Sequence, residues 1–170
     1  MSYWLRWEKL SVNKANRIIF FIFATLFLLF RAGMALSQCT VSATPMGFGN
    51  YDIFSTQPLD TAGTVTINCT SDIVKANLTA GPSQTSGIFN PRQMKRSGGT
   101  DLLNYNIFTD VARTIIFGNG TGGTADIGLR RPTGKPAPWS QIINIYGRIP
   151  TGQDVSVGSY SDTLTITLDW

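Results

Sequence analysis

Residues 160–170 read YSDTLTITLDW, and their alternation limits what the chain can become. Tyr160, Leu164, Ile166, Leu168 and Trp170 share one parity, broken only by Asp162. Ser161, Thr163, Thr165, Thr167 and Asp169 hold the other. In an extended chain, successive side chains point to opposite faces, so this is a strand with one face in a core and one in water. A half-apolar strand needs a second layer to cover it. Further short alternating runs lie upstream: CTVSAT (39–44), GTVTINCT (63–70), ANLTAG (76–81), LLNYNIFTD (102–110), RTIIFGNG (113–120) and QIINIYGRI (141–149). Gly, Pro, Asn and Asp separate them, and no helical periodicity of useful length follows residue 38. The pattern predicts an all-β fold: a single immunoglobulin-like antiparallel β-sandwich. The remaining length, about 130 residues, is that of one domain.

The front of the chain has a different character. Residues 1–17 carry Arg6, Lys9, Lys14 and Arg17 against the single acid Glu8, and IIFFIFATLFLLF (18–30) is an unbroken apolar run. The run is shorter than the roughly 20 residues that span a bilayer and has the length of a signal-peptide core. Small residues follow, with Gly33 and Ala35 or Ala35 and Ser37 offering cleavage points. We therefore expect a signal peptide over 1–37, a domain over 38–170, passage through the periplasm, and a final place at the cell surface, in a pilus or outside the cell.

This division changes the charge argument. The whole chain is +4 with a pI near 9.3, but residues 32–170 hold nine bases and nine acids. The basic character belongs to the leader, so nothing points to nucleic acid, which would require a basic patch on the mature domain. Both cysteines, Cys39 and Cys69, lie in the exported part. An even count in an oxidising compartment favours a disulfide, and closing a loop of about 30 residues stabilises a fold by roughly 3–4 kcal/mol. With no CxxC and no His, a metal or redox pair is disfavoured.

The absence of His also excludes His-based triads and His metal sites. Carboxylate chemistry would rest on Asp52, Asp60, Asp72, Asp101, Asp110, Asp126 and Asp154, which sit at turns or strand ends, where Asp commonly bonds turn backbone. The Gly-rich GNGTGGTADIG (118–128) lacks the Lys and Ser/Thr of a phosphate loop, and no helical pattern follows it, so it reads as a wide connection. We expect neither an enzyme nor a cofactor nor a metal. NCT (68–70), NLT (77–79) and NGT (119–121) match the glycosylation acceptor pattern, as short motifs often do in an Asn- and Thr-rich chain.

Four blocks carry a family resemblance: CTVSATPMGFGNYD, PLDTAGTVTINCT, NPRQMKRSGGTDLLNYNIFTDVARTIIFGNGTGGT and IYGRIPTGQDVSVGSYSDTLTITLDW. From Cys39 to Trp170 the chain resembles the spore coat protein U domain family, which includes the secreted pilins of archaic chaperone–usher fimbriae. It departs from the family at Phe117-Gly118-Asn119-Gly120, where a WGDG-like block is usual, and in RRPTGKPAPWSQ (130–141).

The resemblance implies a sandwich lacking one strand. A periplasmic pilus chaperone lends the strand first, an outer-membrane usher exports the subunit, and a neighbouring pilin subunit supplies the strand in the fibre. On that reading Leu164, Ile166, Leu168 and Trp170 line the partner-strand groove, and the protein is a structural subunit of a pilus or surface coat serving adhesion or biofilm formation. After either cleavage point only LSQ or Gln38 precedes Cys39, too little to donate a strand, which predicts an accepting subunit at a tip or other terminus. The stiff basic loop with Arg130, Arg131, Lys135 and Trp139 has two readings: an adhesive element, or a solvated crossover with Trp139 tucked into the core. The alternative to a pilin is a stand-alone secreted carbohydrate-binding or adhesive module with a complete sandwich.

Overall fold

The computed structural model describes residues 39–170, and the expected leader over 1–37 lies outside the described residues. Among the described residues nine strands follow one another: β1 (Cys39–Ala43), β2 (Leu59–Cys69), β3 (Lys75–Ala80), β4 (Arg92–Arg96), β5 (Leu102–Phe108), β6 (Ile127–Arg130), β7 (Trp139–Ile149), β8 (Tyr160–Ser161) and β9 (Ile166–Asp169). One sheet has the order β1-β2-β7-β5-β4-β8 and the other β6-β3-β9, with every pairing between these strands antiparallel. The described chain is all-β, without a helix, and forms the expected antiparallel sandwich.

The longest ladder joins β2 to β7 over eleven residue pairs, from Leu59↔Ile149 to Cys69↔Trp139. Its buried aliphatic residues are Val65, Ile67, Ile145 and Ile149. From the second sheet Leu78, Ala80, Leu129 and Leu168 face them. Cys39 stands opposite Cys69 in the β1–β2 register, and their sulfurs are bonded. The cross-link fixes the edge strand β1 at the end of the sandwich that also carries Trp139.

Two departures from the sequence reading have a local cause. RQMKR becomes β4 although it is mostly polar, because its inward positions are Met94 and a fully buried Arg92. Residues 113–120, expected to be a strand, instead form a loop with isolated bridges from Ile116 to Phe108 at the end of β5 and from Phe117 to Ala125. Asp110 organises that loop: its carboxylate accepts from the Thr114 amide and hydroxyl and from the Ile115 amide. The last strand is also not continuous. It begins as β8 in the first sheet, crosses over, and ends as β9 in the second. The crossing falls at Asp162, the one residue that broke the alternation. Phe117, at the departure from the family block, is completely buried.

Candidate functional site: an open cleft between two sheet edges

β1 is one edge of the first sheet and β9 one edge of the second. At the disulfide end of the sandwich the two edges lie close, with Val41 packed against the core and Leu168 buried within it. Towards the other end they part. The chain after β1 bends away through Thr44-Pro45-Met46, and between it and residues 160–166 opens a cavity of about 390 Å³.

The floor of this cavity is the apolar inner face of the first sheet: Val65, Met94, Tyr105, Ile107 and Ile145. One wall is Ala43, Thr44, Pro45, Met46 and Phe48, and the other is Leu164 and Ile166 with Tyr160, Ser161 and Asp162 below them. Two glycines, Gly63 and Gly147, lie beneath the Met46–Phe48 wall. A Cβ on Gly147 would stand 2.5 Å from Met46 Sδ and 2.8 Å from Phe48 Cζ, so the absence of a side chain lets these two residues lie inside the sandwich. Phe48 meets Tyr105 edge-on, with ring centroids 5.9 Å apart.

Among the described residues, the chain from Leu164 into the start of β9 has no partner strand on the side facing the cleft. The Thr165 carbonyl accepts from the Gly81 amide and the Thr163 carbonyl from the Gln84 amide. Since successive peptide groups of a strand alternate sides, those of Leu164 and Ile166 point the other way, along the cavity's rim. An exposed edge beside an apolar floor can accept a further strand, through backbone hydrogen bonds and alternate side chains.

The lower end of the cleft is polar and tied down. The Tyr105 hydroxyl donates to Asp162 Oδ2 at 2.7 Å and the Thr85 amide to Asp162 Oδ1 at 3.2 Å. Burial pushes the Tyr105 phenol well above its ordinary range, and the hydrogen bond to Asp162 adds to this. Beside them Arg92 is 0 % exposed. Its Nη1 donates to Asn106 Oδ1 and its Nη2 to the carbonyls of Gly81 and Phe117, each at 2.8 Å. Its guanidinium lies 5.4 Å from the Phe89 ring centroid. Burial lowers the Arg92 pKa to about 10, with the Tyr105 and Asp162 charges opposing that shift. Arg92 thus ties β4 to β5 and to the chain segments leaving β3 and entering the Phe117 bridge.

The residues singled out in the sequence are distributed unevenly. Leu164 and Ile166 line the cleft. Leu168 is buried opposite Leu78, beyond the cavity, and Trp170 lies past β9 with 55 % of its surface exposed. In the basic loop, Trp139 is 4 % exposed and its Nε1 donates to the Ile73 carbonyl, which removes it from any exposed adhesive surface. Arg130 and Lys135 are exposed, and Arg131 pairs with Asp72. Sequence reasoning missed Met46, Phe48, Tyr105 and Met94, which come from three chain segments. The only local signal was Asp162.

The Spore Coat Protein U domain family matches residues 26–167. Among curated proteins, Protein U of Myxococcus xanthus is 34 % identical over 134 residues, covering 72 % of this chain and 70 % of that protein. Among solved structures, a chain in the crystal structure of the CsuC–CsuE chaperone–tip adhesion subunit pre-assembly complex, from the archaic chaperone–usher Csu pili of Acinetobacter baumannii, superposes with a TM-score of 0.54 at 20 % identity. That likeness is one of fold. It covers 79 % of this chain, which spans 40 % of the other.

Proposed function

From the premise that this chain belongs to the Spore Coat Protein U domain family, we propose that it is an exported structural subunit of an archaic chaperone–usher pilus or related surface coat, not an enzyme, and that it assembles by taking a strand from another polypeptide. The observation carrying this reading is the cleft: an apolar floor, two parted sheet edges, and a rim at residues 164–166 with no partner strand among the described residues. A complete sandwich would close this gap with a strand of its own. Filling it with a partner's strand buries apolar surface at roughly 25 cal/mol per Å² and satisfies the edge at the same time.

The partners on this reading are a periplasmic chaperone, which holds the cleft during transit, an outer-membrane usher, and the neighbouring subunit in the assembly. The leader over 1–37 directs export, and 38–170 is the assembling domain. With one to three residues between cleavage and Cys39, the subunit accepts a strand without donating one and so occupies a terminus. Its role in the assembly is adhesion or biofilm formation.

The test is expression of the full chain in a periplasm, with and without a cognate chaperone. The expected result is a soluble one-to-one complex with chaperone, and aggregation or degradation without it. A soluble, monomeric, fully stable protein made alone would overturn the proposal in favour of a self-sufficient adhesive module.

A further inference from the structure

We infer that the strand filling this cleft is recognised by chemistry as well as by shape: two apolar side chains at alternate positions, followed at the next alternate position by a hydrogen-bond-donating cation, Lys or Arg, placed against Asp162. The inference rests on the strand-accepting reading above and specifies its partner.

The length of the open part sets the count. The rim runs from Ile166 to Asp162, five residues joined by four steps, or about 13 Å of extended chain. An incoming strand turns every second side chain inward, so three inward positions fit, level with Ile166, Leu164 and Asp162. The first two stand over Val65, Ile145 and Ile107, and apolar side chains suit them. Beyond Ile166 the cleft is closed, because Leu168 is already part of the core.

The third position meets a carboxylate. Asp162 lines the cavity and accepts two hydrogen bonds, from Tyr105 and Thr85, which leaves acceptor capacity unused. Covering it with an apolar strand would strip its remaining water without replacement, and burying a charge without partners is costly. The buried cation nearby does not supply the missing donors. Arg92 spends both terminal nitrogens on Asn106, Gly81 and Phe117, and it has no direct bond to Asp162. A Lys or Arg on the entering strand would offset the loss with a charge-assisted hydrogen bond.

The probe is a set of synthetic nine-residue peptides of alternating Thr, with Ile at the first two inward positions and Lys, Leu or Glu at the third. Each is titrated into the one-to-one chaperone complex of the full mature chain, where release of the chaperone reports binding. The Lys peptide is expected to bind about tenfold more tightly than the Leu peptide, as befits one hydrogen bond to a charged group. The Glu peptide should bind least. In Asp162→Asn the Lys advantage should vanish while binding of the Leu peptide persists. Equal affinity of the Lys and Leu peptides for the unaltered protein overturns this inference and leaves the cleft reading intact. Failure of every peptide to bind removes both. A dimer of the chain that no peptide displaces would mean that a second copy fills the cleft, and the inference falls.

Discussion

Arg92 is the largest fully buried side chain among the described residues, and its neighbours explain why it can be there. It is wholly buried, and three oxygens depend on its two terminal nitrogens. Truncation would leave those oxygens without donors and open a cavity. We predict that Arg92→Ala destabilises the domain by about 3–5 kcal/mol, measured by urea unfolding. A loss below 1 kcal/mol would show that water replaces the guanidinium. Asp60 acts at the surface, where Arg148 holds it with bonds of 2.7 and 2.9 Å and Arg113 approaches to 3.3 Å. The hydrogen bond from Arg148, with help from the Arg113 charge, keeps its carboxyl below the ordinary 3.8. The folded state therefore holds fewer protons there than the unfolded chain. The stabilisation is fully present above pH 3.8 and is lost as pH falls below it towards the lowered folded value. Asp60→Asn should accordingly lower the urea midpoint at pH 7 and flatten its decline below pH 4, measured across a pH series. An unchanged acid slope would place the acid sensitivity elsewhere.

Individual strands owe their positions to a few contacts across the sandwich. Gly147 lets the segment after β1 turn inward, since Met46 and Phe48 occupy the space a side chain would take. Gly147→Val should cost about 1–3 kcal/mol through overpacking and expel Phe48 from the interior. The loss of its edge-on contact with Tyr105 would be visible as a near-ultraviolet circular dichroism change, and an unaltered spectrum would show that the segment can adjust. At the opposite end the Cys39–Cys69 bond fastens the edge strand β1 to β2. Opening it in Cys39→Ser should lower stability by roughly 3 kcal/mol, since it closes a loop of 30 residues, measured by thermal unfolding against the oxidised parent. Equal stability of the reduced parent and the variant is the expected control.

Across the whole molecule, the cleft couples stability to partnership. A ligand that binds only the folded form raises unfolding free energy by about 2.7 kcal/mol at a hundredfold excess over its Kd. A strand seated in the cleft should therefore raise the melting temperature. It should also protect the amides of Leu164 and Ile166 from hydrogen exchange, while the β2–β7 ladder is protected with or without it. If those two amides are already protected in the free chain, the edge is not available and strand acceptance fails.

Alternation, turn residues and the cysteine pair determined by themselves that the described chain would be an antiparallel sandwich cross-linked at β1 and β2. Those are local properties, set by which face of each short segment can leave water. The sequence also marked Asp162 as an anomaly without saying why. Only the tertiary structure made Arg92 a buried anchor in a polar strand, turned residues 113–120 into a loop, and moved the last strand from one sheet to the other. It alone assembled the cleft, because Met46, Val65, Tyr105 and Leu164 are distant in sequence. A cavity is the space left where two sheet edges part, and no single segment carries a record of where its neighbour ends.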